Sequence, residues 1–358
     1  MSARNRTLCT FLMFLLAGVS AQQEPRALPY DQIYAYGMDA NVSPVFPLLE
    51  VDGLAAKDQK FKSDFEARFK GDRDAEASTP ESEMETLISY FKSYWRKSLL
   101  DPTGNFERDL GGNVVPFLMK NYPPVRGKKV TRDSLGYFLR DYIRAKELYT
   151  TDEVTYQGRL IDLMVWKKQT AKVYKVDLGR GEMQEVTVFF MEDFATLGWM
   201  EYATLGAHHP GGWTEEEGIY CVKKAYDVES ENFRISYLAH EARHFADKPL
   251  WPDLESADLE YRAKLTELSL AQDTLYNLII FFARNANKES ENGHQAANYC
   301  VIRDLSQKLF KSNFETSPEK WKVLGTKRIN KAARKLLEKN TKALKKQGAT
   351  VKSVLEFG

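Results

Sequence analysis

The sequence predicts an α+β fold, mostly helical, with a small antiparallel or mixed sheet just ahead of a helix that carries two histidines. Three observations lead there. Apolar residues recur at helical spacing from about residue 52 to 148. Between about 153 and 226 the pattern changes to short runs rich in β-branched and aromatic residues. From about 231 to the end, helical spacing returns.

In the first helical stretch, Leu87, Tyr90, Phe91 and Tyr94 share a face, as do Leu135, Phe138, Leu139 and Tyr142. Pro102, Gly111, Gly112, Pro123 and Pro124 are expected to punctuate these helices. Residues 22–50, with Pro25, Pro29, Pro44 and Pro47, read as an extended lead-in. Val173, Tyr174, Val176 and Leu178 lead to Gly179-Arg180-Gly181, and Val186, Val188, Phe189 and Phe190 follow, which predicts a hairpin. Gly212-Trp213 and Ile219-Tyr220-Cys221-Val222 indicate further strand. The tail from Lys327 to Lys346 carries Ile329, Ala333, Leu336, Leu337 and Leu344 on one stripe and is expected to pack that stripe on the domain.

A chain of 358 residues that is 43% hydrophobic can bury a large core, in one domain or two intimate ones. We divide it into residues 1–21, a helical region with its lead-in at 22–150, and a unit at 151–358 that holds the sheet, the histidine helix and the helical end. Residues 1–21 have the build of a cleaved secretory signal. Arg4 and Arg6 precede an apolar run from Leu8 to Val19, and Val19-Ser20-Ala21 offers small residues for cleavage. The protein is therefore expected to be exported, secreted or periplasmic, with no transmembrane segment after cleavage. Cleavage takes formal net charge from +1 to −1, a balance that gives no reason to expect nucleic acid as a partner. It also leaves Cys221 and Cys300, either a disulfide pair permitted by export or two buried thiols.

The chemistry concentrates in His240-Glu241-Ala242-Arg243-His244. On a helix over residues 234–247, His240, His244 and Tyr237 fall within one arc, with Ile235, Leu238, Ala239, Ala242, Phe245 and Ala246 behind. Histidines four apart stand one above the other and can grip one metal ion. Zinc suits neutral imidazole, and a catalytic zinc takes three protein ligands and keeps one position open. Glu241 then stands beside the metal, where a carboxylate can take a proton from an attacking water.

These residues resemble the zincin metallopeptidases, and in particular the gluzincins, whose third ligand is a glutamate on the next helix. The resemblance covers about thirty residues, Tyr237 to Glu267, and points to Glu260, sixteen residues beyond His244. Glu267 and Asp247 are competing candidates: Glu267 otherwise stands behind the ligands or pairs with Lys264, and Asp247 otherwise orients an imidazole. The glycine and third histidine of metzincins are absent. The resemblance implies one Zn²⁺ per chain, a zincin-like catalytic unit at 151–358, and a substrate-binding edge strand at Gly218 to Lys224. Tyr237, His209 and Tyr220 are candidates to steady an oxyanion, while His294 is expected to be merely exposed. The expected activity is that of an exported zinc metallopeptidase with a peptide or protein substrate and Glu241 as general base. The alternative is a secreted, non-catalytic zinc-binding protein on the same scaffold. The region 22–150 is a candidate prosegment.

Overall fold

Why the amino-terminal half is helical from residue 30 onward is a matter of where its prolines fall. In the computed structural model, which describes residues 27–71, 82–290 and 292–356, Pro29 and Pro44 are the N-caps of α1 (Tyr30–Met38) and α2 (Val45–Leu49). Pro47 sits in the first turn of α2. The first turn has no use for the missing N–H, so proline is tolerated there. The expected extended lead-in is thus partly helical, and the predicted leader at 1–21 lies outside the described residues.

Next come α3 (Ala56–Phe69), α4 (Glu83–Leu100), α5 (Glu107–Asn121) and α6 (Arg132–Ala145). Capping boxes start α4 at Ser82/Glu85 and α6 at Thr131/Ser134. The predicted faces are the ones that pack: Leu87, Phe91, Tyr94, Leu139 and Tyr142 are buried in one core. Gly111 and Gly112, expected as punctuation, lie inside α5 instead. This core runs past residue 150 to take in Val154, Leu160, Leu163, Val165, Trp199 and Tyr202.

The strands follow: β1 (Tyr149–Thr150), β2 (Tyr156–Gln157), β3 (Leu160–Ile161), β4 (Met164–Asp177) and β5 (Met183–Leu197), then helix α7 (Trp199–Ala203), β6 (Gly212–Thr214) and β7 (Ile219–Val222). The predicted hairpin is β4–β5, paired antiparallel from Met164↔Leu197 to Asp177↔Met183, with Gly179 and Gly181 at positive φ in its turn. β2 and β3 form a separate two-stranded ladder. The main sheet has the order β1–β4–β5–β7–β6, and only β5–β7 is parallel. The fold is α+β, as the alternation of patterns predicts.

One face of the sheet carries Val186, Val188, Phe190, Ile219 and Cys221 into a core shared with Phe233, Leu238 and Ala242. The other face holds Trp166, Met191 and Val222 with Trp213 and Tyr220 packed on them. A π-helical turn, Asn232–Ala239, runs into α8 (His240–Asp247). The carboxyl-terminal helices are α9 (Ser256–Leu270), α10 (Leu275–Arg284), α11 (Gly293–Phe310), α12 (Pro318–Leu324) and α13 (Thr326–Gln347). The stripe of α13 packs as expected: Ile329, Ala333, Leu336 and Leu337 join the core of α9, α10 and α11, and Leu344 packs with Trp251 and Leu254. Among the described residues, no helix is long and apolar enough to cross a membrane.

Asp162 is a buried carboxylate between β3 and β4 that also receives the start of α7. Its carboxylate accepts from the backbone N–H groups of Leu163 and Trp199 at 2.9 and 2.8 Å, yet one oxygen has no hydrogen-bond partner. Burial outweighs those two bonds and pushes its pKa up to about 6. The folded protein therefore binds a proton between about pH 6 and 4 that the unfolded chain binds only nearer 3.8. Stability should rise as pH falls through that window, and the cost of the buried charge is fully present above it. We expect Asp162→Asn to stabilise the protein by about 1–3 kcal/mol at pH 7, with the gain shrinking towards pH 4. Urea unfolding at both pH values checks this, and a pH-independent effect of either sign contradicts it.

Candidate metal centre

The histidine helix is held from behind. Leu238, Ala239 and Ala242 are buried beneath the sheet, and Phe245 and Ala246 pack against the same core. Ile235 turns instead to the carboxyl-terminal helices. The buried back leaves His240 and His244 facing α9.

α9 has no polar face in water. Asp258, Glu260, Arg262, Lys264, Thr266, Glu267 and Ser269 are all buried. Buried charges persist only when partners satisfy them, and the partners come largely from α8. Glu267 Oε1 lies 2.7 Å from His240 Nδ1. Thr266 accepts from Arg243 Nε at 3.2 Å, and Arg243 also makes a two-pronged pair with Glu182, beside the β4–β5 turn, at 2.8 and 2.9 Å. Arg262 grips both oxygens of Asp247 at 2.6 and 2.9 Å.

His240, His244 and Glu260 converge. His240 Nε2 and His244 Nε2 are 3.1 Å apart, His244 Nε2 is 3.1 Å from Glu260 Oε1, and His240 Nε2 is 3.4 Å from Glu260 Oε2. Two ring nitrogens and a carboxylate thus crowd one point; His244 Nδ1 has no hydrogen-bond partner, and Glu260 Oε2 has nitrogens within ion-pair distance but none aligned for a full hydrogen bond. Zinc bonds of about 2.0–2.1 Å in a tetrahedron set ligand atoms about 3.3 Å apart, so the donor set fits such an ion. Among the described residues, this is the one group of three or more such side chains close enough to share a metal. The electrostatics agree. Burial presses the His240 imidazole towards neutrality, but Glu260 and Glu267 overcome it and raise its pKa to about 10. Burial likewise works against a charged Glu260, and His240 still holds it well below the usual carboxylate range. The pocket favours positive charge at its centre.

Glu241 is partly buried beside this group, and its Oε2 accepts from Thr214 Oγ1 at 2.5 Å. Thr214 ends β6, so the candidate base is tied to the sheet's terminal strand. That strand corrects the expectation for Gly218 to Lys224. β7 lies inside the sheet between β5 and β6, and β6, antiparallel to β7, is the edge.

Several predicted residues are engaged elsewhere. Asp247 is committed to Arg262 and is no ligand. Tyr237 lies in the π-helical turn, whose extra residue per turn rotates it off the histidine face. Its hydroxyl donates to the Tyr220 carbonyl at 2.6 Å, an approach open because Gly212 has no side chain: a Cβ there would meet both groups within 2.4 Å. Tyr220 follows strand alternation onto the opposite face, where its ring stacks on Trp213 and its hydroxyl donates to Glu217 at 2.8 Å. His209 contacts the Pro210 carbonyl at 2.9 Å, and His208 packs on Tyr34. Cys221 and Cys300 are free thiols in separate cores, so the disulfide alternative fails. Burial raises their pKa values to about 12 and about 11.

Two residues at the site were given no role by the sequence: Thr214, and His294, which is exposed as expected yet also touches the site. Thr214 lies at the end of the Gly212-Trp213 stretch, and only the pairing of β6 with β7 turns it towards α8. His294 places Nδ1 2.8 Å from Glu260 Oε2, although 34 residues separate them and no local pattern marks the contact.

The chain matches no known protein family, no curated protein and no solved structure.

Asp247→Ala should cost about 3–5 kcal/mol in denaturant unfolding, since it leaves Arg262 charged and unpaired in the core, while metal bound per folded chain stays the same. Loss of metal without loss of stability would show Asp247 to be a ligand after all.

Proposed function

We propose that this protein is a zinc-dependent hydrolase of the zincin type, most specifically a metallopeptidase, with His240, His244 and Glu260 as ligands and Glu241 as general base. One observation carries the reading: two buried imidazole nitrogens 3.1 Å apart each lie 3.1–3.4 Å from an oxygen of the buried Glu260 carboxylate, close enough to share one metal, beside a second carboxylate held by the edge strand.

Zinc, when bound, polarises a substrate carbonyl and lowers the pKa of water. The chain's own residues do the rest. Glu267 holds His240 by Nδ1, which leaves Nε2 to face the other ligands. Thr214 fixes one oxygen of Glu241. Glu241 takes a proton from the attacking water and returns it to the leaving amine. An extended peptide pairs with the free side of β6, so substrate backbone runs beside the base. A leader at residues 1–21 would deliver this activity outside the cytoplasm, and we read residues 151–358 as the catalytic unit.

The main competitor is a zinc-binding protein without activity. A structural site has no need of a carboxylate poised like Glu241, which favours the enzyme. We expect about one zinc per chain in the purified protein and hydrolysis of fluorescently labelled casein. Glu241→Gln should keep the metal and lose turnover by at least ~100-fold. Retained zinc with no activity in either form would favour the competitor, and absence of zinc would remove both readings.

A further inference from the structure

His294 belongs to α11, yet its ring nitrogen reaches a carboxylate buried on α9. Two features put it there. Asn292 caps α11 by accepting from the His294 backbone N–H at 2.9 Å, which fixes the first turn. Gly293 then allows that turn to sit directly on the start of α9: a Cβ at Gly293 would lie 2.2 Å from Ser256 Oγ. Ser256 is one helical turn before Glu260, so the two helix starts are pressed together where His294 meets the carboxylate.

The two oxygens of Glu260 have different surroundings. Oε1 faces His244 at 3.1 Å. Oε2 faces His294 Nδ1 at 2.8 Å, His240 Nε2 at 3.4 Å and Lys264 Nζ at 3.5 Å. The Glu260 side chain is 8% exposed and that of His294 is 62% exposed. His294 therefore covers the second oxygen from the solvent side without joining the converging set of His240, His244 and Glu260.

A carboxylate can give a metal one oxygen or two. With two, it fills a coordination position that a catalytic site must keep open. We propose that His294 is a positioning residue that engages Oε2 and holds Glu260 to one oxygen on the metal, which preserves the open position. This inference rests on the zinc-site reading above. It assigns His294 no contact with the reacting atoms.

The test uses the full chain loaded with cobalt(II) in place of zinc. Four-coordinate cobalt absorbs visible light several-fold more strongly than five-coordinate cobalt. His294→Ala should retain cobalt, weaken the visible band as Glu260 closes on the metal with both oxygens, and lower kcat on labelled casein by ~10-fold with KM little changed. His294→Gln, which keeps a donor, should restore most of the band and the rate. Gly293→Ala, which displaces the imidazole without removing it, should resemble His294→Ala. An unchanged band in His294→Ala overturns the proposal, and so does loss of cobalt, since His294 would then be a ligand itself. Both leave the site reading intact. A wild-type chain that takes up no cobalt overturns the site reading and the proposal together.

Discussion

The apposition of α8 and α9 is the constraint on which the rest of the structure depends. Two helices are pressed together with ionisable side chains at their seam, and water cannot screen or solvate those groups. Each must meet a partner across the seam, so the identity of one helix dictates the other. Glu267 needs His240, Asp247 needs Arg262, and Arg243 needs Thr266 and Glu182. Once these are matched, His240, His244 and Glu260 remain with their donor atoms turned on one another. A cation at their centre would satisfy all three at once.

The sheet supports that seam and gives it a border. One face supplies the apolar bed for the π-helical turn and α8, so the histidines have only one direction to face. The parallel step from β5 to β7 lets the chain double back, and β6 becomes the rim beside Glu241. Gly212 keeps that rim close enough for Tyr237 to reach the β7 carbonyl. Glu182, beside the far turn of the long hairpin, ties the sheet to α8 through Arg243. Shape and electrostatics are thus set by the same few contacts.

Much of this was legible in the sequence wherever the signal is local. The hairpin shows as two apolar runs around Gly179-Arg180-Gly181, the faces of α4 and α6 show as helical spacing, and the histidine pair shows as a four-residue interval. Glu260 came from the resemblance, and the convergence of its carboxylate with both imidazoles fits that reading. What escaped depends on events spacing does not record. A π-turn shifts Tyr237 by adding a residue to the turn. Strand order decides that β6, not β7, is the edge, and alternation then sends Tyr220 to the far face. The fate of Asp247 hinges on Arg262 across the seam, and that of His294 on the Glu260 carboxylate 34 residues away. Prolines at 29, 44 and 47 mislead because a breaker inside a helix is harmless at its beginning.

Zinc K-edge X-ray absorption on the metal-loaded protein reports the atoms around the ion and so decides whether two imidazoles and a carboxylate hold it. The expected spectrum shows nitrogen and oxygen neighbours only, about four atoms at about 2.0–2.1 Å, with the outer scattering of two imidazoles. A shell containing sulfur, or one without imidazole scattering, would contradict it.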